Sequence, residues 1–317
     1  MAPRAPKPHN RKELARRLGR KTFKRRLATE DAREKEFHQF FSPKFTFFKR
    51  HIMRPAQIQV LKWIGLHEKG RREFHDVRIV RNEILLPDLP APFDGFSILQ
   101  LSDLHIDIDP TLVESIGRAV ENVHADLCAL TGDYRNLTVG EAEPCVSMMA
   151  AVRSHIHMDT YAILGNHDYL CMVEPMEKSG YRFLLNECAL FKRNGATLAL
   201  GGVDDPYIFK TDDIARAFSK APADAFRVLL AHSPSVYERA DAENVRVVLA
   251  GHTHGGQICL PNGFILCRND SCPRRFLRGP WSYGNVRGYT SPGTGGCGLP
   301  IRLNCPPEAT LHILRKG

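Results

Sequence analysis

Five short stretches carry residue types that could do chemistry together. They are Ser102-Asp103-Leu104-His105, Thr131-Gly132-Asp133, Gly165-Asn166-His167-Asp168, Ala231-His232-Ser233 and Gly251-His252-Thr253-His254. Each closes an apolar run that reads as a buried strand. A buried strand has no use for a histidine or carboxylate at its end, but a metal centre does. Carboxylate with imidazole is the donor mixture for zinc, manganese or iron. Residues i and i+2 of an extended segment point to one side. By that rule Asp103 and His105 can grip one ion, and so can His252 and His254. Asp103, His105, Asp133, Asn166, His232, His252 and His254 are too many donors for one tetrahedral ion. They fit two ions sharing a carboxylate, an arrangement that clamps a phosphoryl group during hydrolysis. Asp107, Asp109, Asp168, Asp204 and Asp205 stand nearby and read equally well as second-layer partners or as caps and turns.

The elements that must position these residues alternate between strand and helix. Strands are expected over "VRIVRNEILLP", "FSILQL", "ADLCAL", "TYAIL", "ATLALGG", "FRVLL", "VRVVLA", "WSYGNVRGYTS" and "PEATLHILR", and helices over "PTLVESIGRAVENV", "EPCVSMMAAVRS" and "TDDIARAFS". Such alternation implies sheets covered by helices. In sheets of this kind ligands bind beyond the carboxyl ends of the strands. The five polar tips should therefore meet at one mouth.

The order "SDLH", "TGD", "GNHD", "AHSP", "GHTH" resembles the calcineurin-like metallophosphoesterases over roughly residues 75–317. The longer forms "GHTHGGQICLP" and "SPGTGGCGLPIRLNCPPEATL" are similar to a bacterial branch of phosphodiesterases. Some of that branch are peripheral membrane enzymes, and some cleave the pyrophosphate of UDP-2,3-diacylglucosamine. The resemblance implies an α/β fold, a four-layer αββα sandwich of two mixed sheets. It implies two divalent ions drawn from manganese, zinc, iron or magnesium, with manganese the first choice. Asp103, His105 and His254 resemble the ligands of one ion, and Asn166, His232 and His252 those of the other. Asp133 resembles the bridging, catalytic carboxylate. His167 resembles the catalytic histidine that approaches the leaving group. One position departs: where many relatives read Gly-Asp-x-x-Asp, this chain has Asn136.

The 317 residues are 43% hydrophobic and 25% charged, ordinary for a globular protein. No apolar run approaches the ~18 residues of a spanning helix, and the N-terminus lacks the signature of a secretory leader. A cytoplasmic location is expected. The nine cysteines read as reduced thiols, with a Cys267/Cys272 zinc knuckle as a minor alternative. The charge is uneven. Residues 1–55 hold 17 Lys and Arg against 5 Asp and Glu, whereas the whole chain is +9. Residues 1–70 therefore read as a basic arm, helical or disordered, ahead of a domain over 71–317. Residues 1–36 look like a solvated or conditionally helical tail. Phe37, Phe40, Phe41, Phe45, Phe47 and Phe48 then sit among lysines and arginines, followed by Ile58, Leu61, Trp63, Ile64 and Leu66 at rough helical spacing. Aromatics beside basic residues suit an anionic membrane surface, and equally a helix packed on its own domain or on a partner. The expectation is a phosphodiester or pyrophosphate hydrolase on the cytoplasmic face of a membrane, acting on a lipid-linked substrate. The alternatives are a nuclease of the same fold, whose basic arm holds nucleic acid, and a non-catalytic interaction scaffold.

Overall fold

The computed structural model describes residues 5–40, 54–266 and 268–317, and the side chains of all these except 37–40 and 54. Two six-stranded sheets form its centre. The first runs β1(Arg78–Leu86), β12(Glu308–Lys316), β2(Ser97–Leu101), β3(Leu127–Leu130), β4(Thr160–Ala162), β5(Tyr181–Phe183) across the sheet. The second runs β10(Gly279–Tyr283), β11(Val286–Thr290), β9(Val247–Ala250), β8(Phe226–Leu230), β7(Ala196–Gly202), β6(Glu187–Arg193). Both are mixed. β2 to β5 are parallel, and β12 enters antiparallel to β2. β7, β8, β9 and β11 are parallel, with β6 and β10 antiparallel at the edges.

Period-two burial explains the layers. Ile98, Leu127, Ala129, Val228, Leu230, Val247 and Leu249 face the core between the sheets. Their neighbours Leu99, Leu101, Cys128 and Leu130 turn outward beneath α5(Leu112–Val120) and α6(Glu143–Ser154). Leu229, Val248 and Ala250 turn to the opposite outer layer, beneath α8(Ile214–Ala217) and α9(Tyr237–Ala242). A strand buried on both faces reads as a continuous apolar run, as these do. The expected αββα sandwich of two mixed sheets is the architecture found.

Two strands went unread in the sequence. β5 has three residues, and β6 is an edge strand that is half-exposed along its length. Neither offers a long apolar run.

The basic N-terminus takes the helical alternative expected over residues 1–36, but it is docked and not a free tail. α1(Arg11–Leu18) and α2(Arg20–Phe40) are helices, and Leu14, Leu18 and Phe23 are buried in the outer core of the first sheet. Arg17 pairs with Glu177 at 2.8 Å and Glu187 at 2.9 Å. Arg17 and, on α2, Arg26 have acidic partners on the body, so these helices dock where a composition average predicts solvation. α3(Arg54–Trp63) and α4(His67–His75) follow. The phenylalanine-rich reading of 37–48 falls on side chains outside the described residues, as does Cys267 of the zinc-knuckle reading. Its companion Cys272 is buried in the outer layer of the second sheet. No helix among the described residues is long and apolar enough to cross a membrane.

Candidate metal centre

All five motifs leave parallel strands at the same end. β2 delivers Asp103 and His105, β3 delivers Asp133, β4 delivers Asn166 and His167, β8 delivers His232, and β9 delivers His252 and His254. All seven sequence-read donors are buried. Five of them have positive φ: Asp103 (50°), His105 (40°), Asp133 (58°), His252 (69°) and His254 (53°). For residues with a β-carbon this region costs energy, and such strain persists where the surroundings over-determine it. The loops also touch one another closely. A β-carbon at Gly251 would strike Ser102 Oγ and the Asp103 carboxylate, and one at Gly165 would strike the Asp133 carboxylate. The glycines of these motifs are spacers that let neighbouring loops approach.

Asp133 stands at the centre. Its Oδ2 lies 3.3 Å from His232 Nε2, 3.7 Å from His105 Nε2 and 3.9 Å from His167 Nε2. Its Oδ1 accepts the His167 main-chain N–H at 2.8 Å. Main-chain carbonyls fix the imidazole tautomers. His105 Nδ1 donates to the Arg135 carbonyl at 2.7 Å, His232 Nδ1 to Thr131 at 2.7 Å and His167 Nδ1 to Asn136 at 3.0 Å. In each ring Nε2 is then the atom aimed at the centre. His252 is turned the other way. Its Nε2 meets the Asn269 carbonyl at 3.3 Å, so Nδ1 is its available lone pair. Asn166 Oδ1 lies 3.0 Å from His232 Nε2. His254 Nε2 lies 3.2 Å from His105 Nε2 and 3.5 Å from Asp103 Oδ1.

Among the described residues, His, Cys and carboxylate donors fall into three overlapping groups, each within 4.8 Å: Asp133/His232/His252, His105/Asp133/His167 and His105/His254/Cys297; Asp103 is in none of them. His252 and His254 thus join different groups, the split that the family resemblance implies and not the one the i, i+2 spacing gives. The rule assumed extended backbone, and the positive φ of both residues breaks it. Two residues enter that the sequence reading kept out of the donor set, His167 and Cys297.

The electrostatics fit cations. Burial alone would raise the Asp133 pKa, yet His232 and His167 hold it well below the usual carboxylate range. Burial would lower His232, and Asp133 instead raises it well above the usual imidazole value. Burial pushes His105 down to about 4 and His254 well below its ordinary value. Both rings are neutral at pH 7. The bare Nε2 lone pair of His105 therefore points at an anion, which is repulsive as it stands. A bound cation would turn lone pair and carboxylate into co-ligands. By that test the residues suit divalent ions.

Support comes from residues on which the sequence was undecided. Asp168 is fully buried and ties two motifs together: its Oδ2 accepts the N–H of Asp133 and of Gly165, both at 2.8 Å, and its Oδ1 that of Tyr134 at 2.9 Å. Asp107 accepts the Asn136 N–H at 2.5 Å. Asp109 takes the capping role, accepting from Thr111 before α5, and Asp205 caps the 207–209 turn. Asp204 pairs with Arg26 at 3.2 Å. Asn136, the departure from the family pattern, uses its carbonyl to hold His167 and its Oδ1 to accept the Gly298 N–H at 3.0 Å. A carboxylate in its place is thus not needed for local order. Sequence reasoning missed Arg302. It is fully buried and donates to the carbonyls of Pro292, Gly295 and Cys305 at 2.6–3.1 Å, holding the loop that carries Cys297. An arginine amid glycines and prolines gives no periodic signal of such a role.

Known proteins agree with this geometry. The calcineurin-like phosphoesterase family profile matches residues 96–256. The chain is 26% identical over 266 residues to the uncharacterized metallophosphoesterase YkoQ of Bacillus subtilis, covering 80% of this chain and 97% of that one. It is 28% identical over 241 residues to phosphodiesterase YaeI of Escherichia coli, covering 71% and 83%. It is 27% identical over 257 residues to a bovine transmembrane protein with metallophosphoesterase domain, covering 74% of this chain and 56% of that one. With the family match spanning half its length and the imidazole–carboxylate centre lying inside that match, the chain belongs to the calcineurin-like phosphoesterases, enzymes that hydrolyse phosphoesters with divalent metal ions.

Proposed function

We propose that the chain hydrolyses phosphodiester or pyrophosphate bonds with two ions, manganese the first candidate. Asp103, His105 and His254 would hold one, Asn166, His232 and His252 the other, and Asp133 both. The observation that carries this reading is the Asp133 carboxylate faced by three imidazole nitrogens at 3.3–3.9 Å. When bound, the ions supply Lewis acidity that makes water nucleophilic near neutral pH and offsets charge on the phosphoryl oxygens. The chain supplies orientation. The Thr131 and Arg135 carbonyls fix the rings of His232 and His105, and Asp168 fixes the Asp133 and Gly165 main chain. His167 is tethered through Nδ1; burial lowers its pKa and Asp133 opposes that, and as the imidazolium it would donate its Nε2 proton to the leaving oxygen.

The proposed setting is the cytoplasmic face of a membrane, with a lipid-linked substrate such as UDP-2,3-diacylglucosamine. Val60 and Trp63 on α3 and Ile64 just after it are 50%, 78% and 58% exposed in a basic stretch. Exposed apolar side chains beside cations suit a headgroup region. The relative described as a transmembrane protein points the same way.

The test is metal analysis with turnover. Protein saturated with manganese should carry two ions per chain and cleave bis-p-nitrophenyl phosphate. Asp133→Ala should lose both ion affinity and nearly all turnover. One ion per chain in the active wild type would end the dinuclear reading. His167→Ala should keep its metal and lose most activity on esters with poor leaving groups. Equal losses on good and poor leaving groups would remove His167 from the proton-donor role.

A further inference from the structure

Helix α2 lies outside the matched family region, yet it holds two loops of the metal centre. Arg26, Glu30, Arg33 and Glu34 are spaced i, i+4, i+7, i+8, which sets them on one helical face. Each meets the main chain of a site loop. Arg26 Nη2 donates to the Asp168 carbonyl at 2.7 Å, and Arg33 Nη1 to the Asn166 carbonyl at 2.6 Å. Glu30 Oε1 accepts the Leu170 N–H at 3.0 Å, and Glu34 Oε1 the Gly140 N–H at 2.7 Å.

The two arginines differ in one respect. Arg26 is fully buried and neutralised, by Glu30 at 3.1 Å and Asp204 at 3.2 Å, with the Phe209 ring 3.3 Å beneath it. Arg33 is half-buried, and among the described residues no carboxylate lies within ion-pair distance of it. Its contact with Asn166 is its one hydrogen bond there, so donors of its five-donor fork stay available. Its charge is felt at both Asp133 and His167. It grips the outer, main-chain side of the Asn166 loop, and so stands beside the reacting centre. A guanidinium with spare donors and no ion-pair partner among the described residues, at the edge of a phosphoryl-hydrolysing site, is an anion receptor.

We propose that Arg33 binds a second anionic group of the substrate, beyond the phosphoryl that is cleaved, and so biases the site toward phosphoanhydrides over simple diesters. This rests on the hydrolase reading above. A second phosphate places a separate charge one bridging oxygen away from the reacting phosphorus, which a simple diester lacks.

The experiment compares wild type, Arg33→Gln and Arg33→Lys, loaded with manganese, on UDP-glucose and on bis-p-nitrophenyl phosphate. Binding of inorganic pyrophosphate is measured alongside by calorimetry. For Arg33→Gln, kcat/KM on UDP-glucose should fall about 10-fold further than on the diester, chiefly through KM. Pyrophosphate affinity should fall by about the same factor, and Arg33→Lys should recover part of both. Equal losses on the two substrates, with unchanged pyrophosphate affinity, would make Arg33 a prop for the Asn166 loop and overturn the proposal. If Arg33→Gln fails to fold, the lysine variant decides: it keeps the charge but not the planar fork, so intermediate values support the receptor and equal losses refute it. Wild type that cleaves neither substrate would defeat the hydrolase reading, and the calorimetric comparison would still decide Arg33.

Discussion

Helices α2 and α3 come from the same basic stretch and have opposite fates. α2 lies against the body. Phe23 enters the core, Arg26 is buried in an ion-pair cluster, and Glu30, Arg33 and Glu34 bond to loops of the metal centre. α3 keeps Val60 and Trp63 in solvent, and Ile64 just after it is exposed too. By composition α3 is the more apolar of the two, yet α2 is the one that docks. Mean hydropathy therefore does not decide which helix packs. What decides is whether each charged side chain on one face finds a counter-charge or a main-chain partner, because a buried charge without one is too costly. Of the basic arm, Arg17 and Arg26 are already paired with acids of the body.

The contrast can be broken most forcefully at Arg26. Arg26→Ala leaves Asp204 buried without its ion-pair partner, and the expected loss is about 3–5 kcal/mol of stability. Thermal unfolding measures this, and activity should fall too, because the Asp168 carbonyl loses its donor. A shift of only a degree or two would mean that α2 is loosely held. A chain starting near Arg72 would test the same contact less cleanly, since it also uncovers the apolar surface that Leu14, Leu18 and Phe23 cover.

A smaller effect is expected from pH. Burial raises the Glu30 carboxyl to about 7, with Arg26 opposing and Asp204 adding to the rise. The unfolded chain releases this proton near its ordinary value, about 4.5, whereas the folded chain keeps it to about 7. Stability from this group is therefore complete below about 4.5 and is lost as pH rises through 7, by at most about 1.4 kcal/mol per pH unit. Glu30→Gln retains an acceptor for the Leu170 N–H and should flatten the stability profile between pH 5 and 7. An unchanged profile would show that Glu30 is ionised throughout.

The smallest expected change in stability is at α3. Trp63→Ser with Ile64→Ser should alter folding by no more than about 0.5 kcal/mol, as exposed sites do. The same pair should weaken co-sedimentation with anionic vesicles about 10-fold, and the remaining binding should fall further in high salt. Unaltered vesicle binding would remove α3 from the membrane reading, and a large fall in melting temperature would remove it from the exposed class.

Much of the site was legible because its chemistry is local. Strand ends bearing Asp-x-His, Gly-Asp, Gly-Asn-His-Asp and Gly-His-x-His name their own donors, and parallel strands bring those ends together. The sheets followed from apolar runs long enough to be buried on both faces, whereas three-residue β5 and half-exposed β6 gave no such run. Residue types and their order along the chain therefore determined the family and the sandwich, and named seven candidate donors. Spacing alone did not say how those donors group: the family resemblance separated His252 from His254, and the tertiary structure supplies the physical reason. The split of His252 from His254 depends on left-handed backbone that no spacing rule contains. Tertiary structure alone decided that Asp168 binds loops together while Asp109 and Asp205 cap turns, and that Arg26 and Arg33 reach a loop more than 130 residues away. A charged side chain's role is set by which partner shares its burial, and that partner is chosen by the fold, not by its neighbours in sequence.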